Sequence, residues 1–256
     1  MAQGDVTCNL TNALPKRCAV FDGVDDYVEV ADDDSLDLTE AITISAWVKQ
    51  NAGDTGYNDI VLKWGGDDSY LFRLRDFEGD GLSGLQFLID DDGVEGGDRG
   101  YVLSANQDFR GNWFYVVGTY DGANLKVYVD GVLKDTDPYP NGIHIGTENL
   151  IIGGPDFLFN GSIADVRIYN KALTQAEITK LYQGGNVTRG LVSRWKLDKD
   201  YKDSFGSNDG TNSGSYLTTV DDQVSKAISD ARTTANDKYL MCVVNNKIMT
   251  SVIEEA

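Results

Sequence analysis

Residues 112–131 read NWFYVVGTYDGANLKVYVDG, with Trp113, Tyr115 and Val117 alternating against Phe114, Val116 and Gly118. Beyond Asp121-Gly122 the alternation resumes. Leu125, Val127 and Val129 are set against Lys126, Tyr128 and Asp130, and a second Asp-Gly follows at Asp130-Gly131. Side chains along a strand alternate between its faces, and Asp-Gly suits a tight hairpin turn, so the stretch predicts antiparallel strands joined at Asp121-Gly122. A lone hairpin is marginal in water. A second apolar layer must come from the rest of the chain.

The 256 residues have room for one large β domain with an appendage, or for two small domains. A hydrophobic content of 41% supports a real core, and 28 Gly against 4 Pro, with 13 Tyr and 9 Phe, suits a turn-rich sheet protein. The net charge of -19 argues against nucleic acid and against docking on anionic lipid, because like charges repel. The acid excess has two readings, solubility and cation binding by Asp-rich loops. No run approaches the ~20 apolar residues of a membrane span, so no membrane insertion is expected. The start, MAQGDVTCNL, has neither a basic segment nor an apolar h-region. Either a signal was removed beforehand or the protein reaches its destination as virion proteins do. Cys8 and Cys18 are close enough to close a small loop and leave Cys242 over; an odd count makes no disulfide framework. Bridged and unbridged states both stay open. The sequons at Asn9, Asn160 and Asn186 matter only in a secreted eukaryotic protein.

In chain order, strands are expected over 19–30 (broken at Asp25-Asp26), 41–50, 59–64, 69–75, 85–90, 150–153 and 162–169. In 41–50, Ile42, Ile44, Ala46 and Val48 share one face, and Thr43, Ser45, Trp47 and Lys49 the other. Short strands separated by turn signals predict an antiparallel β-sandwich. Thr174-Gln175-Ala176-Glu177 is a capping box, Ile178, Leu181 and Tyr182 form an apolar side, and Gly184-Gly185 ends the helix.

Five motifs in this order resemble concanavalin A-like, laminin-G type jelly-roll domains of the lectin-glucanase kind. They are Phe21-Asp22-Gly23 with Asp25-Asp26-Tyr27-Val28; Ile42-Thr43-Ile44-Ser45-Ala46-Trp47-Val48; Trp113 with Gly118-Thr119-Tyr120-Asp121-Gly122; Tyr128-Val129-Asp130-Gly131; and residues 160–170, NGSIADVRIYN, followed by Ala172-Leu173-Thr174. The resemblance covers roughly residues 19 to 185. Such domains usually begin with a Gly-Leu-Val…Trp…Leu-Asp strand and an Asp-Ser…Gly-Asn-Asp-Gly-Thr loop. Here that opening comes after the body, as GLVSRWKLD at 190–198 and DSFGSNDGT at 203–211. A decayed second repeat and a permuted domain are the two readings, and the second is better because it fills an otherwise bare sheet edge. The expected organisation is a jelly roll over 1–218, with core 19–185 and displaced strand 190–198, and an extension over 219–256. In the extension Val224, Ala227, Ile228, Ala231 and Ala235 share a helix face, and 239–244 with 247–253 flank Asn245-Asn246 as a hairpin. The extension packs on its own sandwich or serves assembly.

The chemistry points away from catalysis. His144, the only histidine, lies in a loop with no nucleophile motif around it. No strand carries a same-face carboxylate pair of the sandwich-glycosidase type. The runs Asp32-Asp33-Asp34 and Asp90-Asp91-Asp92 lie in loops, where solvation accounts for them, and they fail the EF-hand template. In the resembling family the first motif and the last strand meet around a calcium ion. That resemblance implies Asp22 and Asp165 as carboxylate ligands, carbonyls near Gly23 and Asn160-Gly161, and Asp25 as a further ligand to a structural Ca²⁺. For a glycan, an aromatic platform beside planar polar groups is needed. Tyr57, Trp64, Tyr70, Arg73 and Gln86 are the candidates, with Trp47 a further one.

The expectation is a non-catalytic, calcium-stabilised module binding a glycan or glycoprotein, displayed outside the cell or on a virion or cell surface. The rivals are an assembly protein that meets protein partners, or copies of itself, through 219–256, and a glycoside hydrolase with an unrecognised site.

Overall fold

The computed structural model describes residues 14–51, 56–76, 82–94 and 99–220, and the backbone of 239–244 and 247–252. Two antiparallel sheets face each other. The first holds eight strands: β1 (Arg17–Asp22), β3 (Ile42–Gln50), β8 (Phe114–Tyr120), β9 (Asn124–Val129), β10 (Val132–Pro138), β12 (Asn160–Tyr169), β13 (Leu191–Trp195) and β15 (Tyr216–Thr219). The second holds seven: β2 (Tyr27–Val30), β4 (Tyr57–Lys63), β5 (Tyr70–Arg75), β6 (Gly84–Asp90), β7 (Arg99–Leu103), β11 (Leu150–Ile152) and β14 (Gly210–Ser213). Spatial order is β10-β9-β8-β3-β12-β1-β15 in the first, with β13 also on β12, and β14-β2-β11-β4-β5-β6-β7 in the second.

The hairpin of 112–131 sits in the first sheet as its alternation dictates. Phe114, Val116, Leu125, Val127 and Val129 enter the core between the sheets. Gly118 faces Phe87 so closely that a Cβ there would lie 2.8 Å from the ring. Trp113, Tyr115, Val117 and Tyr128 point the other way, into a second cluster with Trp47 and with Leu173, Ile178 and Leu181. The last two belong to α1 (Gln175–Tyr182), which carries the expected capping box. At Asp130-Gly131 both residues have positive φ, 52° and 76°, as a two-residue hairpin with right-handed twist requires. It joins β9 to β10, an exposed edge strand not expected from its charged sequence KDTD. β7, β14 and β15 were likewise not expected; they are short and lack clean alternation.

Three expectations change. Residues 19–30 are two strands in different sheets, because the Asp22–Asp26 turn carries the chain across the sandwich. Asp90 ends β6, fully buried, rather than lying in a solvated loop. Asp32 is only half-solvated, since it pairs at 2.7 Å with the buried ammonium of Lys63.

Residues 191–195 pair with β12 of the same chain, Val166 opposite Trp195 and Tyr169 opposite Leu191. β1 pairs with 160–163 on that same side of β12, so β1 and β13 lie end to end. Trp195 is fully buried, and its Nε1 donates to the Asn208 carbonyl at 2.6 Å. The loop after it delivers β14 to the edge of the second sheet and β15 to the edge of the first. Further on, β16 (Tyr239–Val244) and β17 (Lys247–Val252) form a two-stranded sheet of their own, close to the expected hairpin. The expected helix around 224–235 lies outside the described residues, as does Cys8; Cys18 is buried.

Candidate functional site

The outer face of the second sheet carries a pocket, and a β-bulge builds it. β4 pairs with β5 in a register that shifts between Asp59 and Val61. Ile60 and Val61 consequently both enter the core, and the parity of outward positions changes from Tyr57 and Asp59 to Leu62 and Trp64. On β5 the outward residues are Leu71, Arg73 and Arg75; on β6 they include Gln86 and Leu88. Asp59, Arg73 and Gln86 stand opposite one another on adjacent strands.

The pocket, about 290 Å³, is lined by Trp64, Arg73 and Arg99, the carboxylates of Asp59, Asp68 and Asp156, and the apolar Leu62, Leu71 and Phe157. Arg73 donates from Nε to Gln86 Oε1 at 2.9 Å, and its guanidinium carbon lies 4.2 Å from the Tyr57 ring centroid. Phe157, 44% exposed, packs on Tyr57 with centroids 4.8 Å apart. Arg99 lies over Trp64 at 4.8 Å and is clamped by Asp68 (2.9 Å) and Asp90 (3.1 Å). Asp68 also accepts from the amides of Gly65 and Gly66, closing the loop beside the tryptophan. Asp67, in the same loop, accepts from Thr147 N and Oγ1 at 2.8 and 2.9 Å and meets His144 Nε2 at 2.8 Å. His144 thus ties two loops together.

Asp59 is 2% exposed, and its Oδ1 lies 3.9 Å from Arg73 Nη1 with no hydrogen-bond donor among the described residues. Burial pushes its carboxyl up to about 7, against the pull of Arg73 and with a further push from Asp156. Burial likewise lowers the Arg73 guanidinium.

Of the five residues expected to meet a ligand, Trp64 and Arg73 line this pocket, with Tyr57 and Gln86 holding Arg73 in place. Tyr70 does not belong. It is three residues from Arg73 on one strand, so it points into the core, and its hydroxyl donates to the Leu36 carbonyl at 3.2 Å. Trp47 is also excluded, lying on the outer face of the other sheet 5.2 Å from Tyr115. Sequence reasoning missed Asp59, Arg99 and Phe157. The aromatic in the turn-rich run Gly-Gly-Pro-Asp-Phe was a usable signal; the partnership of Arg99 with Trp64 was not, since it joins distant strands.

The expected metal ligands divide. Asp22, Asp25 and Asp26 form an acidic group whose carboxylate oxygens lie within 4.8 Å of one another. Asp26 is raised by burial and by the charges of Asp22 and Asp25, although the Asp22 amide, donating at 2.8 Å, lowers it. Gly23, at φ 76°, turns the chain there, and a Cβ on it would meet the Asn160 Cβ at 2.8 Å. Asp22 stands opposite Asn160 in the sheet. Asp165, however, is five residues further along β12, about 15 Å away at strand rise. A bulge turns it, at φ 51°, toward Arg167 and Arg194, whose nitrogens lie 2.7 and 2.6 Å from its oxygens. Burial opposes its charge, yet the two guanidiniums hold its carboxyl below the usual range. Asp165 is an ion-pair residue and does not join Asp22. The second acidic group, Asp90, Asp91 and Asp92, is already neutralised in part by Arg99.

Among the described residues no helix is long and apolar enough to cross a membrane. The fold is shared with a proposed carbohydrate-binding protein from Bacteroides ovatus, with TM-score 0.65 and 20% identity over 80% of this chain. The chain spans 60% of that protein's length. It is also similar to the native heptameric SAP-like pentraxin from Limulus polyphemus, with TM-score 0.57 and 16% identity, covering 80% of this chain and 95% of the other. No curated protein matches the sequence. A family model described as the concanavalin A-like lectin/glucanases superfamily matches residues 22–179, more than half of the sequence. The chain therefore belongs to the concanavalin A-like lectin/glucanase superfamily.

Proposed function

We propose that this protein is a non-catalytic carbohydrate-binding module, displayed outside the cell or on a virion surface, whose glycan site is the pocket beside Trp64. The observation that carries the reading is the half-buried Trp64 next to the ladder Asp59–Arg73–Gln86. An aromatic face takes the apolar side of a sugar ring, while a carboxylate and a fixed guanidinium accept from and donate to its hydroxyls. The unpartnered Oδ1 of Asp59 supplies an acceptor. The carbohydrate binding proposed for the Bacteroides protein of the same fold supports the same class of ligand.

A structural Ca²⁺ is part of the reading. Three convergent carboxylates suit a hard cation, and Asp22, Asp25 and Asp26 would hold it, with Gly23 and Asn160 beside them. Its contribution would be charge neutralisation where like charges now repel. The loop from Gly153 to Asn160 connects this turn to the pocket, since Phe157 lines the pocket and the Asn160 amide donates to Asn58.

A glycan array on the purified protein tests the proposal. Binding should appear on a defined set of glycans and be lost in Trp64→Ala and Arg73→Ala. A protein that binds no glycan, or whose Trp64→Ala variant binds as well as wild type, would overturn it. The separate β16–β17 sheet favours the second reading, assembly through 219–256. That reading would be supported by an oligomer that dissociates on removal of 219–256 in a protein binding no glycan.

A further inference from the structure

On the opposite sheet, where β1 and β13 meet end to end along β12, a second cavity of about 480 Å³ opens. Five cations line it: Lys16, Arg17, Arg167, Arg194 and Lys196. They come from a chain with only 22 Lys and Arg against 41 Asp and Glu, so chance gives no reason to gather them. Two carboxylates also line it: Asp165, and Asp198, whose Oδ1 is buried with no hydrogen-bond partner among the described residues.

The ion pairing inside is uneven. Arg167, 4% exposed, places Nε and Nη2 on Asp165 at 3.3 and 2.7 Å and Nη1 on Asn186 at 3.4 Å. Arg194 draws on that same carboxylate through Nε, and its Nη1 and Nη2 make no side-chain hydrogen bond among the described residues. One negative charge therefore serves two guanidiniums, one of them buried. Arg17 is pinned by donating from Nε to the Asp198 backbone carbonyl, which consumes a donor and neutralises nothing. The ammonium groups of Lys16 and Lys196, both exposed, form no ion pair among the described residues. Surplus positive charge in a partly desolvated recess is unfavourable until an anion compensates it. Trp47, Leu14 and Pro15 add an apolar wall.

We propose that this recess binds a small tetrahedral oxyanion ester, a sulfated or phosphorylated sugar or an equivalent ligand, independently of the pocket beside Trp64. The open guanidinium nitrogens of Arg194 supply a planar fork for two of its oxygens, and Lys16 and Lys196 supply point charges at the rim. The pocket-side group of Trp47 and Pro15 leaves room for the uncharged part of the ligand. Because β13 brings Arg194, the site exists only where the displaced strand completes the sheet.

Calorimetric titration of the full chain in low-salt chloride buffer tests this with inorganic sulfate, inorganic phosphate, glucose 6-sulfate, glucose 6-phosphate and glucose. The two esters should bind saturably, more tightly than the inorganic ions, and glucose should not bind here. Sulfate against phosphate affinity then says which source of oxyanion the site prefers. Raising the ionic strength should weaken binding by screening. The double variant Lys16→Gln, Lys196→Gln, chosen because both side chains are exposed, should bind about tenfold more weakly with an unchanged melting temperature. Arg194→Lys, which keeps the charge and removes the fork, should also lose affinity, whereas Trp64→Ala should not. Absence of saturable ester binding, or wild-type affinity in the lysine double variant, would overturn the proposal and leave the glycan reading untouched.

Discussion

Asp59 shows how one residue can join stability to recognition. Its ordinary value is 3.8, and burial lifts it to about 7 in the fold. A carboxyl whose folded value is raised binds its proton more tightly when folded. Stability from that proton is full below about 3.8 and is lost as pH rises toward 7. Asp59→Asn removes the titration, so the variant's melting temperature minus that of wild type should grow between pH 4 and 7 and level off above. Equal differences at every pH would show that Asp59 holds its proton no more tightly in the fold than in the unfolded chain. The residue could not have been singled out from sequence, where it is one Asp among many; only the Asp59–Arg73 pairing across β4 and β5 gives it a role. The outward placing of Gln86 was legible because the alternation of β6 can be read locally, whereas that of Trp64 was not, because the β4 bulge shifts the alternation before it. Tyr70 was misassigned by neglecting the alternation of β5.

At the scale of elements, the turn between β1 and β2 and the strand β13 each carry a prediction. If the turn holds Ca²⁺, ion binding adds about 2.7 kcal/mol at a hundred times its dissociation constant. EDTA should then lower the melting temperature of wild type and of Asp165→Ala, but scarcely that of Asp25→Asn. An undiminished EDTA shift in Asp25→Asn would remove the ion from this turn. For β13, emptying the fully buried Trp195 site also breaks the bond to Asn208, and Trp195→Ala should cost roughly 3–5 kcal/mol by chemical denaturation. A chain ending at Gly185 would bare the β12 edge and should aggregate or fail to fold. If it melts cooperatively at the full-length temperature, β13 contributes nothing essential. The displaced motif was readable because GLVSRWKLD keeps its own pattern wherever it stands; its end-to-end placement with β1 was not, because both strands compete for the same side of β12.

For the whole molecule, a superfamily that includes glucanases makes hydrolysis the necessary control. Purified protein should release no reducing sugar from common β-glucans or galactans, since Asp59 lies beside Arg73 and the same-face pair Asp135 and Asp137 stands on the edge strand β10 and does not line the pocket. Turnover abolished by Asp59→Asn would instead identify that residue, poised near neutrality, as a general acid. The sequence by itself determined the sandwich, the hairpin at Asp130-Gly131, the capped helix α1 and the likeness of the displaced strand to an opening one. These rest on alternation, turn chemistry and capping, each confined to a few neighbouring residues. Tertiary structure alone decided that Asp22 keeps company with Asp25 and Asp26 while Asp165 belongs to Arg167 and Arg194. It likewise decided that the bulge in β4 sets Trp64 beside Arg73, and that five cations gather in one recess of an acidic protein. Each of these depends on register and bulges between strands far apart in the chain, which no local pattern encodes.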